Sequence, residues 1–374
     1  MIPYGKQCID EEDIKAVIDV LRSDWLTTGP TIEKFEEVFA DLVGAKYAVA
    51  VNSGTAALHA AMYALGIAPG DEVIVPAMTF AATANCVVFQ GGTPVFADVD
   101  PATLLIDPTS AEDRISPKTR AIIAVDYAGQ PCDYNALAAI IGKHNLFLVA
   151  DACHSLGARC NEQSVGSLAL LNVFSFHPVK QITTGEGGMI TTDHLEFSRS
   201  ARLFRNHGIT SDHRERNLQG SWFYEMVEMG YNYRLTDFQC ALGMSQLSKL
   251  SDWILRRQEI AGRYREAFLS IPQISPLDQR PEVAHAYHLF VIKLSAELDR
   301  GKIFRALRER GIGVNVHYIP VHLHPYYRRR FGTALGLCPV AEKAYEHILS
   351  LPLYPSMTDG DVQTVIEAVI QVLS

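Results

Sequence analysis

The stretch SFHPVKQITTGEGG, Ser175 to Gly188, carries a single lysine, Lys180, between a proline and a run of small and hydroxylated residues. Its surroundings are apolar before it, glycine-rich after it and poor in acidic partners. An amine sheltered in this way has a lowered pKa and can act as a Schiff-base nucleophile, whereas most lysines lie along a solvated surface. Three other short stretches carry groups that could work with it. SGTAAL puts Ser53, Gly54 and Thr55 at the start of a helix, where free N–H groups and the helix dipole suit a phosphate. Ser and Thr also cap ordinary helices. AMTFAATANC sets Phe80 just past a strand, where an aromatic can stack on a flat ring or pack in a core. LFLVADACHS ends a buried run on Asp151, a carboxylate that is costly there unless paired. Binding a metal, orienting a histidine and holding a proton on a ring nitrogen are all open to it.

Each of these stretches follows an apolar run of strand length. The runs are YAVAVN, EVIVP, TPVFADV, RAIIAVD, LFLVAD, NVFSF and GMITT, and helical patterns such as GTAALHAAMYALGI and YNALAAIIGKHN lie between several of them. Continuous apolar strands alternating with helices predict an α/β fold with a largely parallel sheet covered on both faces. In such sheets ligands bind at the carboxyl ends of the strands, where the four stretches fall. Before the sheet, IDEEDIKAVIDVLRSD predicts a helix capped by Asp10. After it, a helical pattern runs from Thr236 through FQCALGMSQLSKLSDWILRRQEIAGRYREAFLS to a Pro-rich connector. The expected division is a large domain over residues 1–235, then a connecting helix and a small α+β domain over 236–374.

Composition narrows the function. The net charge is −9, and the densest basic run is the three arginines Arg328 to Arg330, which argues against a nucleic-acid surface. No apolar stretch reaches the ~20 residues that span a bilayer, and the N-terminus has no signal pattern, so a cytoplasmic protein with no membrane partner is expected. Seven scattered cysteines without a C-x-x-C pair fit reduced thiols better than disulfides or zinc. His154, His317, His322 and His324 show none of the known zinc spacings, so no metal is expected.

A phosphate cradle, an aromatic, a buried carboxylate and a sheltered lysine at one sheet edge are the parts that pyridoxal 5′-phosphate requires. Neither G-x-G-x-x-G opening a helix nor G-x-x-x-x-G-K-[ST] occurs, which weakens a dinucleotide or P-loop reading. The segments LTTGPTIEKFEE, NSGTAAL, DACHSLGA, SFHPVKQITTGEGG, GYNYRLTDFQCALG and NVHYIPVH together resemble the sugar-nucleotide aminotransferases of the DegT type, within the aspartate-aminotransferase-like fold. The resemblance spans essentially the whole chain. It implies a mainly parallel seven-stranded sheet, Lys180 as the lysine that bonds the cofactor, and Asp151 as partner of its ring nitrogen. It also implies Phe80 against the ring, and Gly54, Thr55 and Ser175 on the phosphate, helped by Asn232 of a neighbouring subunit in a homodimer with shared active sites. His154 stands where the family commonly has Gln, toward the ring hydroxyl. Sugar-nucleotide contacts would come from Tyr4, Trp25, Leu26, Thr27, His317 and Tyr318.

Within that family, VDYAGQPCDY, His154, AYHLFVIKL, GVNVHYIPVHLHPYY and LPLYPSMT look most like the aminotransferases of pseudaminic acid synthesis. The resemblance implies transfer of the amino group of L-glutamate to C4 of a UDP-linked 2-acetamido-2,6-dideoxy-β-L-arabino-hexos-4-ulose. The nearest rivals are aminotransferases for a D-configured UDP-4-keto-6-deoxy sugar or for the UDP-4-ketopentose of lipid A modification. A cofactor-binding regulator, a nicotinamide oxidoreductase and a dehydratase on the same scaffold are the readings from other classes. The intact Lys180 and Asp151 count against the first and Lys180 against the last.

Overall fold

The computed structural model describes residues 1–218 and 220–373. All seven apolar runs are strands: β1 (Tyr47–Val51), β2 (Glu72–Pro76), β3 (Thr93–Ala97), β4 (Thr119–Val125), β5 (Phe147–Asp151), β6 (Leu171–Ser175) and β7 (Gly188–Thr192). They form one sheet in the order β1-β7-β6-β5-β4-β2-β3. Neighbours among β2 to β6 run parallel, while β7 is antiparallel to both β1 and β6. Helices cover both faces, which is why the strands read as unbroken apolar runs rather than alternating ones. This is the mixed α/β architecture of aspartate-aminotransferase-like enzymes.

The first helix, Glu11–Leu21, begins as expected at Asp10, whose carboxylate accepts from Glu12 N and Asp13 N. Asp13 is buried and completes the capping box, and it also takes hydrogen bonds from Ser245 and Gln246. The helical pattern from Thr236 onward is two helices, Asp237–Leu247 and Leu250–Phe268. They part at Ser248 and Lys249, and the Lys249 ammonium lies 3.0 Å from Asp13. The longer helix joins two cores. Leu250 and Ile254 pack with Phe35, Phe39 and Phe176 beside the sheet, whereas Ile260, Tyr264 and Phe268 pack with the C-terminal elements.

Those elements are an antiparallel sheet of Ile274–Pro276, Phe290–Leu294 and Ile348–Leu351, with the helices Arg300–Glu309 and Asp359–Leu373 against it. The chain's first residues add to this part: Ile2 N donates to Gly311 O, Gly313 N to Ile2 O and Leu353 N to Tyr4 O. Tyr4 is thereby fixed at the seam between the two cores. No described helix is long and apolar enough to cross a membrane.

Candidate active site

A cavity of about 500 Å³ opens at the carboxyl ends of the parallel strands. Its walls include Gly54, Thr55, Phe80, Asp151, His154, Ser175 and Lys180, together with Tyr4, His317 and Tyr318. Ten of the sequence-predicted site residues therefore meet in one place. Asn232, Trp25, Leu26 and Thr27 do not line it in the single chain.

The phosphate-suited corner forms where β1 turns into the helix Gly54–Ala64. Ser53 is the N-cap, its hydroxyl accepting from Ala56 N at 3.0 Å. The first N–H groups of a helix have no acceptor within it, so those of Gly54 and Thr55 are available to an anion. Only glycine fits at 54: a Cβ there would lie 2.8 Å from Ser175 Cβ and 3.3 Å from Cys153 Sγ. The helix start thus closes directly onto the end of β6, and the Ser175 hydroxyl joins the same corner.

Asp151 is the last residue of β5 and is buried. Thr83 Oγ1 donates to its Oδ2 at 2.7 Å and Cys153 N to its Oδ1 at 3.3 Å. Thr83 in turn lies 2.7 Å from Thr79 Oγ1. These two donors fix the orientation of the carboxylate at the strand end. The DACHS turn that follows is held from behind by Asp126, which accepts from Ser155 Oγ at 2.6 Å, Tyr134 OH at 2.8 Å and Cys132 N at 2.9 Å. Burial raises the Asp126 carboxyl to about 6, against the pull of those three donors.

Lys180 sits in the connection from β6 to β7, which folds on itself through Phe176 N to Gly187 O and Thr184 N to Phe176 O. Its amine reaches the cavity while protein surrounds the stem. Burial lowers its pKa, opposed by Cys153 and Asp151 nearby. No other lysine and no arginine lines the cavity among the described residues.

The opposite wall carries imidazoles and phenols. His154 Nε2 lies 3.1 Å from Tyr318 OH, and its ring centroid is 4.3 Å from that of His288. Burial, and then the charge of Lys180, push both histidines well below the usual range, so both are neutral. His288 reaches this position because the turn at Ala128 and Gly129 docks the segment around it: Ala286 N donates to Gly129 O and Leu289 N to Ala128 O. Gly129 has a φ of +103°, and a Cβ there would lie 2.8 Å from His288 N. Phe80 is 60% exposed and presents its ring at the mouth, 6.0 Å from Tyr318.

Thr83, Cys153, His288 and Asn315 were not singled out in the sequence. Thr83 and Cys153 lay inside quoted motifs as unremarkable residues, and only the folded register turns them inward. His288 and Asn315 lay inside AYHLFVIKL and GVNVHYIPVHLHPYY, segments read only for the resemblance they carry, with no site role attached to either residue. Asn232 is exposed on an extended piece of chain beside Asn52, whose N–H donates to Tyr233 O and whose side chain donates to Asn232 O at 3.3 Å. Thr27 pairs with Thr236 and Leu26 O accepts from Asp237 N, so this segment lies near the start of a later helix instead of the cavity.

The pattern of the DegT/DnrJ/EryC1/StrS aminotransferase family matches residues 7–370. The chain is 45% identical over 373 residues to the spore coat polysaccharide biosynthesis protein SpsC of Bacillus subtilis (strain 168), covering 98% of this chain and 96% of that protein. Its fold superposes on Spr1654 of Streptococcus pneumoniae in the PMP form with a TM-score of 0.95 at 33% identity, covering 100% and 99% of the two chains. Spr1654 is also solved in PLP and apo forms. PseC of Helicobacter pylori, an aminotransferase involved in the biosynthesis of pseudaminic acid, superposes with a TM-score of 0.93 at 34% identity, covering 100% and 99%.

Proposed function

The chain belongs to the DegT/DnrJ/EryC1/StrS aminotransferase family and is a transaminase, and on that premise we propose that it moves the amino group of L-glutamate to C4 of a UDP-linked 2-acetamido-2,6-dideoxy-β-L-arabino-hexos-4-ulose. That step belongs to pseudaminic acid synthesis. What supports the substrate is the set of segments VDYAGQPCDY, AYHLFVIKL and GVNVHYIPVHLHPYY, with the likeness to PseC. A second reading, another nucleotide-linked 4-ketosugar, is favoured by the higher identity to a spore coat polysaccharide protein.

Pyridoxal 5′-phosphate is the cofactor of this family, and the cavity residues fit it. The observation that carries the fit is the corner where a Cβ on Gly54 would strike Ser175, which lets backbone N–H groups and a hydroxyl converge on one anion. Gly54, Thr55 and Ser175 would hold the phosphate, with Asn232 of the partner subunit in a homodimer. Phe80 would cover the ring, His154 would face its hydroxyl and Asp151 its nitrogen. When bound, the cofactor carries the amino group and takes up the electrons released as a C–H bond breaks.

The chain's own residues supply the rest. Lys180 Nζ, with its lowered pKa, is the base that takes the proton from the donor's α-carbon and the acid that returns one to C4 of the sugar. Asp151, held in place by Thr83 and the Cys153 N–H, would pair with the cofactor's ring nitrogen and favour its protonated form. Neutral His154 and Tyr318 close the wall without adding charge. Tyr4, His317 and Tyr318 would border the sugar nucleotide, with Trp25, Leu26 and Thr27 of the N-terminal segment as further contacts to it.

The test is a pair of half-reactions. Glutamate should bleach the visible absorbance of the lysine-bound cofactor, and the L-arabino 4-ketosugar, added after glutamate is removed, should restore it. Bleaching without restoration by this sugar, but with restoration by a D-configured or pentose ketone, would move the substrate to the second reading.

A further inference from the structure

One wall of the cavity contains a chain of hydrogen bonds whose direction can be worked out atom by atom. Val316 N donates to Asn315 Oδ1 at 2.8 Å, which fixes the orientation of the Asn315 carboxamide. Asn315 Nδ2 is then the atom 3.3 Å from His317 Nε2, and an amide nitrogen can only donate. His317 Nε2 must therefore carry the lone pair. The proton of the neutral ring lies on Nδ1, which is 2.8 Å from Ser350 Oγ and donates to it. Burial and the nearby Lys180 lower the His317 pKa to about 4, in keeping with a neutral ring.

Both nitrogens of His317 are thus spent inside the protein, and its backbone carbonyl accepts from Tyr127 OH. It has neither a proton nor a lone pair left for a ligand. Asn315 does: a carboxamide offers two N–H donors and two acceptor lone pairs, and each of its atoms has used one. Asn315 also lines the cavity and is only half-buried. Its backbone is rigid, pairing with Ser350 in both directions at 3.2 and 2.8 Å.

We infer that Asn315 is the hydrogen-bonding residue of this wall, and that its free N–H grips an acceptor oxygen of the ketosugar, a hydroxyl or an N-acyl carbonyl. Val316 N orients the carboxamide, and His317, with both ring nitrogens engaged inside the protein, makes no hydrogen-bonded ligand contact of its own. A neutral amide is matched to a neutral sugar oxygen. The carboxylates of the amino donor gain more from charged donors, and this wall has none. The inference rests on the sugar-aminotransferase reading above and deepens it.

The experiment compares the two half-reactions in single turnover for Asn315→Ala, Asn315→Asp and Ser350→Ala. Asn315→Ala should slow restoration by the ketosugar about tenfold, through KM, as expected for one lost hydrogen bond. Bleaching by glutamate should change less than about twofold. Asn315→Asp keeps the acceptor for Val316 N but removes the N–H, so it should show the same selective loss even if the alanine variant folds poorly. Ser350→Ala releases His317 without touching Asn315 and should leave the ratio of the two half-reactions as in the wild type. Equal slowing of both half-reactions by the Asn315 variants, or of neither, would overturn the inference. So would a selective sugar defect in Ser350→Ala, which would return the contact to His317. A wild-type protein that glutamate bleaches but no 4-ketosugar restores would instead remove the sugar reading, and the inference with it.

Discussion

Thr83 Oγ1 donates a 2.7 Å hydrogen bond to Asp151 Oδ2, across 68 residues of sequence and from the helix that follows β2 to the end of β5. The bond joins the aromatic-bearing corner of the cavity to its carboxylate. Replacing Thr83 by Val keeps the shape and removes the donor. A buried carboxylate that loses one of its partners is destabilised by about 1–3 kcal/mol. We expect Thr83→Val to fold with a lowered Tm and to slow the glutamate half-reaction by tenfold or more. A variant with wild-type rates would show that Cys153 N alone suffices for Asp151.

Lys180→Ala should abolish turnover and the visible absorbance of the lysine-bound cofactor together. No other lysine lines the cavity among the described residues, so no neighbour can substitute. Spectra and 2-oxoglutarate release measure the two effects separately. A coloured, active variant would mean that the amine doing the chemistry lies elsewhere.

Gly54→Ala tests the phosphate corner. The added Cβ would meet Ser175 Cβ at 2.8 Å, tighter than carbon atoms tolerate, so the helix start must withdraw from β6. Affinity for pyridoxal phosphate should fall at least about tenfold, since the N–H groups and the Ser175 hydroxyl no longer converge. Fluorescence titration of the apoprotein reads this directly, and unchanged affinity would place the phosphate elsewhere.

The sheet was legible because its strands, apart from the edge strand β3 with Thr93 and Val95 half-buried, are buried on both faces and so appear as largely apolar runs. The Asp10 cap was legible because capping is a local event. The break between the helices Asp237–Leu247 and Leu250–Phe268 was not, since the apolar spacing continues through Ser248 and Lys249. The junction is where Lys249 reaches Asp13 from the other end of the chain, a contact no local pattern signals. The same distinction divides the site. Lys180, Asp151 and Gly54 stand in motifs whose composition is unusual where it occurs. Tyr318 meets His154 across 164 residues, and Asn315 and His288 sit in segments whose resemblance was legible but whose side chains had no role assigned until the fold brought them to the cavity. Contacts of that range are a product of topology, which no local pattern encodes.

Acid stability should depend on two buried groups through the same sign. Glu36 is buried between Arg202 at 2.6 Å and Arg205 at 2.5 Å, and accepts from Ala50 N at 2.8 Å. Burial alone would raise its pKa, but the two guanidinium groups and the backbone bond lower it below the ordinary 4.5. The folded state then binds the proton less readily than the unfolded chain. This contribution to stability is present above about pH 4.5 and is lost as the pH falls through the lower folded value. Glu36→Gln should cost about 3–5 kcal/mol near neutrality, because it leaves two arginines facing a neutral amide. Its deficit relative to the wild type should shrink as the pH drops below 4.5.

His285 supplies the counterpart at higher pH. Its Nδ1 accepts from Tyr287 N at 2.8 Å and its ring stacks on Tyr287 at 3.9 Å, so protonation would break a buried hydrogen bond. Burial, then the charge of Arg265, lowers its pKa from 6.5 to about 3. Between those values the unfolded chain takes up a proton that the folded chain refuses. Stability from this group is therefore full above 6.5 and falls with pH below it, by up to about 1.4 kcal/mol per unit. His285→Asn keeps an acceptor for Tyr287 N and cannot titrate. Denaturant unfolding at pH 7.5, 6.5, 5.5 and 4.5 should show wild type losing ground to the variant at each step below 6.5. Parallel curves would mean that His285 is protonated in the fold, with Tyr287 N bound by some other acceptor.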